Sequence, residues 1–154
     1  MSRVLDPGRC EELAERFEES DGQNRFPLSV AHLQGSEAYG CDILAFRSGK
    51  DREDFRGHPD LDLVARFIEV KARRSHANGI WLEGNELKAA RSRLDRFYIY
   101  RVYEQSDGDF QILVLNDPLQ GEPHIIYEID VLGDSRTRKW LVKELPESKA
   151  DSPG

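Results

Sequence analysis

The sequence predicts an α/β fold in which a mixed central β-sheet is flanked by helices. An amphipathic helical segment comes first, at residues 9–20, and three strand-like runs follow between residues 26 and 71. A second helical segment at about residues 86–96 then precedes two further strand-like runs. Helices interspersed with strands in this way are typical of a sheet with helices packed on it.

The length of 154 residues suits one domain with a sizeable core and is too short to expect two. We expect a single domain over residues 1–143 and a disordered tail over 144–154, which has one large apolar side chain and two prolines. The chain has no apolar run of about 18 residues and no signal-like N-terminus, which predicts no membrane association. Cys10 and Cys41 lie in no metal-binding spacing, so reduced thiols and a cytoplasmic location are expected.

The first half of the chain divides into one helix and three strands. Within residues 9–20, Cys10, Leu13, Ala14 and Phe17 recur at helical spacing, and the remaining face is acidic. Residues 26–33 are predicted to form the first strand, on which His32 is read as structural or exposed rather than as a ligand. Residues 42–46 form the second predicted strand and residues 63–71 the third. The polar residues 48–62 between them, with two glycines and a proline, are predicted to be a loop.

The second half supplies the rest of the predicted sheet. Residues 80–82 are short and apolar and are predicted to form a short strand before the predicted helix at 86–96. Residues 97–103 and 110–115 flank an Asp-Gly-Asp turn and are predicted to pair as a hairpin. Residues 124–129 are predicted to add an edge strand, and residues 140–142 to dock as a final element.

The third strand carries the residues on which a chemical function would depend. Because side chains alternate along a strand, Glu69 and Lys71 share one face, whereas Ile68 and Val70 share the other. Antiparallel pairing of the second and third strands would place Asp42 beside Glu69 and Lys71. Carboxylate oxygens suit Mg²⁺ or Mn²⁺, and a lysine beside the metal can orient or help deprotonate a metal-bound water. Two alternatives to a metal site stay open: Glu69 and Lys71 could form a surface ion pair, and Asp42 could be a turn residue.

Charge is distributed unevenly along the chain. Residues 66–101 carry nine basic and four acidic side chains, against eight and fourteen in residues 1–65 and five and eleven in residues 102–154. A basic segment around the third strand can attract an anionic ligand even though the whole chain has a formal charge of −7. In that segment Arg73 and Arg74 are candidate substrate contacts. Arg91, Arg93 and Arg96 are read as the solvated face of a helix.

Four blocks in this order resemble the DUF3883 domain: Gly40–Ile43, Phe67–Lys71, Asn85–Ala90 and Phe97–Val102. That family looks like a branch of the PD-(D/E)XK nuclease superfamily, which has the restriction-endonuclease-like fold. The resemblance covers about residues 8–118. Its ordered set of blocks is more specific than any single block.

The resemblance implies site residues and a cofactor. It implies Asp42 and Glu69 as ligands of Mg²⁺ or Mn²⁺ and Lys71 as the catalytic lysine. It further implies a ligand in the first helix, where Glu12 is the best match among five glutamates. Glu86 matches a glutamate of the family and is read as a metal ligand, a substrate contact or a helix N-terminal charge. Cys41 stands where the family often has an aromatic residue.

Two functions are therefore expected, and a third reading stays open. The first is a Mg²⁺-dependent nuclease, a possible deoxyribonuclease, that hydrolyses nucleic-acid phosphodiester bonds. The second is a catalytically inactive nuclease-fold module that binds nucleic acid or protein. The expected partners are nucleic acid, with DNA favoured, and a second copy of the chain or a larger DNA-processing protein. The third is a structural mixed sheet in which the motif has arisen by chance.

Overall fold

A computed structural model describes residues 6–20, 23, 25–72, 80–104, 108–121 and 130–140. The chain divides into two compact units, residues 1–123 and 124–154. In the second unit, the described residues 130–140 form turns, within which Arg136 pairs with Asp134 at 2.6 Å. No helix in the described part of the chain is long and apolar enough to cross a membrane.

The first unit is built on a mixed sheet, as the sequence predicts, and in the described residues this sheet has five strands. Its strands are β1 (Phe26–Ser29), β2 (Ile43–Phe46), β3 (Val64–Ala72), β4 (Phe97–Glu104) and β5 (Phe110–Asn116), and they lie side by side in chain order. The β3–β4 pair is parallel, and the other three pairs are antiparallel. Both predicted antiparallel pairings, β2 with β3 and β4 with β5, are therefore confirmed.

Three helices cover the two faces of the sheet. Helix α1 (Pro7–Glu19) places Ala14 in a core with Ile43, Ile68 and Tyr100. Helices α2 (Gly49–Gly57) and α3 (Gly84–Arg93) cover the opposite face, where Phe55, Ala89 and Ala90 join a larger core with residues of all four strands β1 to β4. The parallel β3–β4 pair needs a crossover connection, and α3 lies within it.

The prediction of a loop over residues 48–62 is wrong, because α2 occupies residues 49–57. Ser48 caps this helix by accepting a hydrogen bond from the Asp51 amide at 3.0 Å. Phe55 is the one buried side chain in its nine residues, so no apolar periodicity marks the helix in the sequence. The glycines at its two ends, which suggested a loop, are its first and last residues.

The other elements differ from the predicted ones by smaller amounts. Strand β1 ends at Ser29, and residues 30–32 turn as a 3₁₀ helix. Residues 80–83 are not a strand, and α3 begins at Gly84 and gives way to a 3₁₀ turn at residues 94–96. The predicted edge strand at 124–129, Leu141, Val142 and the tail at 144–154 lie outside the described residues. Trp140 is described and is exposed.

A buried polar network joins α1 to the sheet. Tyr100 on β4 donates its hydroxyl hydrogen to the Glu18 carboxylate, and Glu18 has no exposed surface. Arg66 donates to the Tyr100 hydroxyl oxygen at 2.8 Å and to the Gln23 side-chain oxygen at 3.1 Å. Burial raises the pKa of Glu18 despite these partners. Glu18 therefore belongs to the interior, although the sequence suggested an acidic outer face.

Gly40 permits a close contact between α3 and the turn before β2. Its φ of +65° lies in the left-handed region that favours glycine. A Cβ atom at this position would lie 2.3 Å from the Asn85 carbonyl oxygen and 2.7 Å from the Ala89 Cβ. The first turn of α3 consequently packs directly on the backbone that leads to Asp42.

We predict that Gly40→Ala lowers the free energy of unfolding by about 2–4 kcal/mol, because the new methyl group adds overpacking to backbone strain. Gly35→Ala is the matched control: its φ is +69°, but nothing lies within 4 Å of the added Cβ. We expect the control to lose about 1 kcal/mol from strain alone. Urea unfolding measures both losses, and equal losses would contradict the claimed contact with α3.

Candidate functional site

Asp42 lies at the start of β2 and is fixed by backbone and side-chain hydrogen bonds. Its amide donates to the Ile68 carbonyl at 2.9 Å, and its own carbonyl accepts from the Val30 amide at 2.9 Å. Its side-chain Oδ2 accepts a hydrogen bond from the Val70 amide at 2.8 Å. The structure thus brings the Asp42 carboxyl to the backbone between Glu69 and Lys71, as the antiparallel pairing predicts.

Glu69, Lys71 and Glu86 form a cluster with Asp42. Glu69 and Lys71 lie on the sheet face covered by α3, and Lys71 Nζ is 3.5 Å from Glu69 Oε1. Lys71 donates to both carboxylate oxygens of Glu86, at 2.8 and 3.1 Å. Glu69 is only 6% exposed, which agrees with its predicted position in the middle of the sheet. Glu86 is therefore a partner of the lysine, a role that was not among the three readings of this residue.

The carboxyl groups of the cluster are hard to ionise. Burial raises the pKa of Glu69 to about 9, and the negative charges of Asp42 and Glu86 add to the effect. The pKa of Asp42 is also raised, mainly by burial, although hydrogen bonds from the Val70 amide and with Glu69 oppose the rise. Burial and mutual repulsion therefore favour the uncharged forms of Asp42 and Glu69 more than water does.

Lys71 is a cation in this arrangement. Burial alone would lower its pKa, but the hydrogen bond to Glu86 and the charges of Glu69 and Glu86 outweigh burial, so the pKa is raised. A lysine with a raised pKa is a poor general base near neutral pH. Its chemical contribution here is a fixed positive charge and three N–H donors.

The first helix brings Glu11, rather than Glu12, towards the cluster. Burial raises the pKa of Glu11, and the next contribution is the negative charge of Asp42. Glu11 and Asp42 line a cavity of about 160 Å³, and Cys41 forms part of its wall. Glu12 instead faces solvent, where it pairs with Arg9 at 3.3 Å and Arg16 at 2.8 Å. The structure does not bring Glu12 to the candidate site.

Spacing within α1 contains the signal that distinguishes the two glutamates. Glu11 is three residues before the buried Ala14 and therefore neighbours the inward stripe, whereas Glu12 is two residues from both Cys10 and Ala14 and points away. Arg101 is a second residue that sequence reasoning missed. It stands opposite Lys71 in the β3–β4 register, and only 8% of its surface is exposed.

The basic residues of the middle segment have different roles. Arg73 and Arg74 lie outside the described residues. The guanidinium groups of Arg93 and Arg96 lie 4.7 and 5.1 Å from the Phe67 ring centroid, and Arg96 also donates to the Leu61 and Val64 carbonyls. The interpretation of these two arginines as a solvated helix face is therefore wrong. Arg91 is exposed, as that interpretation expects.

The donors of the cluster suit a hard divalent cation, since Asp42, Glu69 and Glu11 offer carboxylate oxygens. The raised pKa values of these three groups mean that a nearby positive charge would favour their ionised forms. Among the described residues, however, no group of three His, Cys, Asp or Glu side chains is already arranged to hold a metal ion. Lys71 and Glu86 pair with each other at this position.

These features define a mixed α/β domain with a buried carboxylate–lysine cluster at the paired ends of β2 and β3. The family model described as "Protein NO VEIN, C-terminal" matches residues 11–115, which is more than half of the chain. The chain therefore belongs to the NO VEIN C-terminal family, and the match includes all five strands apart from the last residue of β5. Comparison with curated proteins and with solved structures found no significant match.

The raised pKa of Glu69 predicts a specific pH dependence of stability. The unfolded chain releases this proton near pH 4.3, but the folded state keeps it to about pH 9. Between these pH values the folded state binds more protons than the unfolded state. The stabilisation that comes from the protonated Glu69 side chain is therefore lost as the pH rises. We expect Glu69→Gln to reduce the loss of unfolding free energy between pH 5 and pH 8 by on the order of 2–4 kcal/mol.

The matched control is Glu12→Gln, which removes a carboxyl from the exposed face of α1. Urea unfolding at several pH values should give the control the same pH dependence as the wild type. A Glu69→Gln curve that runs parallel to the wild-type curve would show that Glu69 ionises normally in the folded state.

Proposed function

We propose that this chain is a DUF3883-type branch of the PD-(D/E)XK superfamily and acts as a metal-dependent nuclease-like domain. In this proposal it hydrolyses phosphodiester bonds of nucleic acid, with DNA as the favoured substrate. The observation that carries the proposal is the convergence of Asp42, Glu69 and Lys71 at the paired ends of β2 and β3. The ordered sequence blocks support the same superfamily.

Asp42 and Glu69 would hold Mg²⁺ or Mn²⁺, and Glu11 is the carboxylate of α1 on the Asp42 side. A bound cation of this kind supplies an activated water and neutralises phosphate charge. Lys71 contributes a fixed ammonium that offsets negative charge on the phosphate as the bond breaks. Glu86 orients that ammonium through two hydrogen bonds, and the Gly40 contact fixes α3 beneath it.

A second candidate function is favoured by the same hydrogen bonds. Lys71 is engaged by Glu86, and the raised pKa of Glu69 favours its uncharged form, which attracts a cation less strongly. A domain that kept this closed arrangement would use the fold to bind nucleic acid or protein without turnover. Intact nucleic-acid binding by the Glu69→Ala, Lys71→Ala double variant, together with no turnover by the wild type, would favour this candidate.

Cleavage assays test the first candidate. The full chain is incubated with Mg²⁺ or Mn²⁺ and end-labelled single-stranded and duplex DNA and RNA. We expect Lys71→Ala to lower the cleavage rate by about 100-fold or more, because removing one preorganised charge from a transition state typically costs that much. Lys50→Ala is the matched control: Lys50 lies on α2, is exposed and pairs with Asp54.

The control should cleave at the wild-type rate, and circular dichroism verifies that both variants fold. Turnover that persists in Lys71→Ala would assign the activity to another site or to a contaminant. No cleavage of any substrate by the wild type would contradict the nuclease proposal.

A further inference from the structure

Trp81 lies on the segment that leads into α3, next to the candidate site. Because β3 and β4 are parallel and α3 lies in the crossover between them, the chain enters α3 from the carboxyl end of β3. That end of β3 carries Lys71, and the first turn of α3 carries its partner Glu86. Glu86 follows Trp81 by five positions, so their Cα atoms are at most about 17 Å apart.

The neighbours of Trp81 hold its side chain outwards. Ile80 and Leu82 are partly buried and pack against the core beneath α2 and α3. With residues 80 and 82 anchored on the core in this way, the side chain of residue 81 between them faces solvent. Trp81 is accordingly 68% exposed. A large aromatic ring is thus presented to solvent on a segment that is anchored on both sides.

The surroundings suit a nucleic-acid ligand. The exposed residues of α3 include Lys88 and Arg91, which can attract a phosphate backbone. An indole ring offers a flat surface for stacking on a base of any sequence. A base in the interior of a duplex is stacked on both sides, whereas every base of an unpaired strand can present its face to the indole ring.

We propose that Trp81 is a stacking platform for an unpaired nucleobase and directs single-stranded nucleic acid, or a single-stranded part of a substrate, to this end of the sheet. The inference rests on the proposed nucleic-acid function of the neighbouring cluster. It applies to a cleaving domain and to a binding domain alike. The ligand chemistry, an unpaired base, is shared by DNA and RNA.

Intrinsic fluorescence tests the proposal, because the chain has two tryptophans, Trp81 and Trp140. The Trp140→Phe variant of the full chain leaves Trp81 as the sole indole. It is titrated with oligo(dT), oligo(rU) and a blunt DNA duplex, with Ca²⁺ in place of Mg²⁺. We expect a single strand to quench the Trp81 fluorescence saturably at concentrations where the duplex has little effect. Comparison of the oligo(dT) and oligo(rU) titrations distinguishes DNA from RNA.

Binding of labelled oligonucleotides, measured by anisotropy, provides the second readout. We expect Trp81→Ala to weaken single-strand binding by about 10-fold or more, Trp81→Phe to retain most of the affinity, and Trp140→Ala to bind as the wild type does. Equal affinity of Trp81→Ala and the wild type would overturn the proposal, as would no binding of any single strand.

Quenching by vesicles of anionic lipid, with none by oligonucleotides, would assign the ring to a membrane surface and also overturn the proposal. The nuclease proposal is judged separately, since it depends on cleavage that is lost in Lys71→Ala. Cleavage with Trp81-independent binding would reject this inference alone.

Discussion

The burial of one carboxyl group, Glu69, is the constraint on which the rest of the candidate site depends. Ionising a buried carboxyl group next to two others costs free energy. The group therefore stays protonated unless a nearby cation offsets its negative charge. In this structure burial raises the pKa of Glu69 to about 9, and the ammonium of Lys71 lies 3.5 Å away, held by Glu86. Such an arrangement contributes little to stability, since an apolar side chain on the same strand would cost less to bury. Carboxyl groups with raised pKa values are frequent at functional sites, which is consistent with the chemical use proposed for this cluster.

The fold places these groups with ordinary secondary-structure geometry. Strand alternation puts Glu69 and Lys71 on one face, antiparallel pairing brings Asp42 alongside, and α3 lies over the same face with Glu86 in its first turn. The absence of a side chain at Gly40 lets α3 pack against the turn before β2. On the opposite face, the Glu18, Tyr100 and Arg66 network joins α1 to β3 and β4. Glu11 approaches Asp42 from that same helix, so both faces of the sheet contribute to the cluster.

Features encoded locally could be predicted from the sequence, and features that depend on distant partners could not. The strands and the relation of Asp42 to Glu69 and Lys71 follow from alternation and from the apolar residues around Glu69. Helix α2 was missed because Phe55 is its one buried side chain. The burial of Glu18 depends on Tyr100, 82 residues away, and the pairing of Lys71 with Glu86 depends on how α3 packs. The inward position of Glu11 could have been found, because it follows from its spacing to Ala14.

The proposed role of the cluster as a divalent-cation site is tested most directly by calorimetric titration with Mn²⁺. Wild-type protein should bind the cation saturably, Asp42→Asn should lose that binding, and Glu12→Gln should keep it because Glu12 faces solvent with Arg9 and Arg16. Glu11→Gln should weaken binding, although the adjacent Glu12→Gln does not. No saturable binding by the wild type, or equal binding by wild type and Asp42→Asn, would contradict the claim.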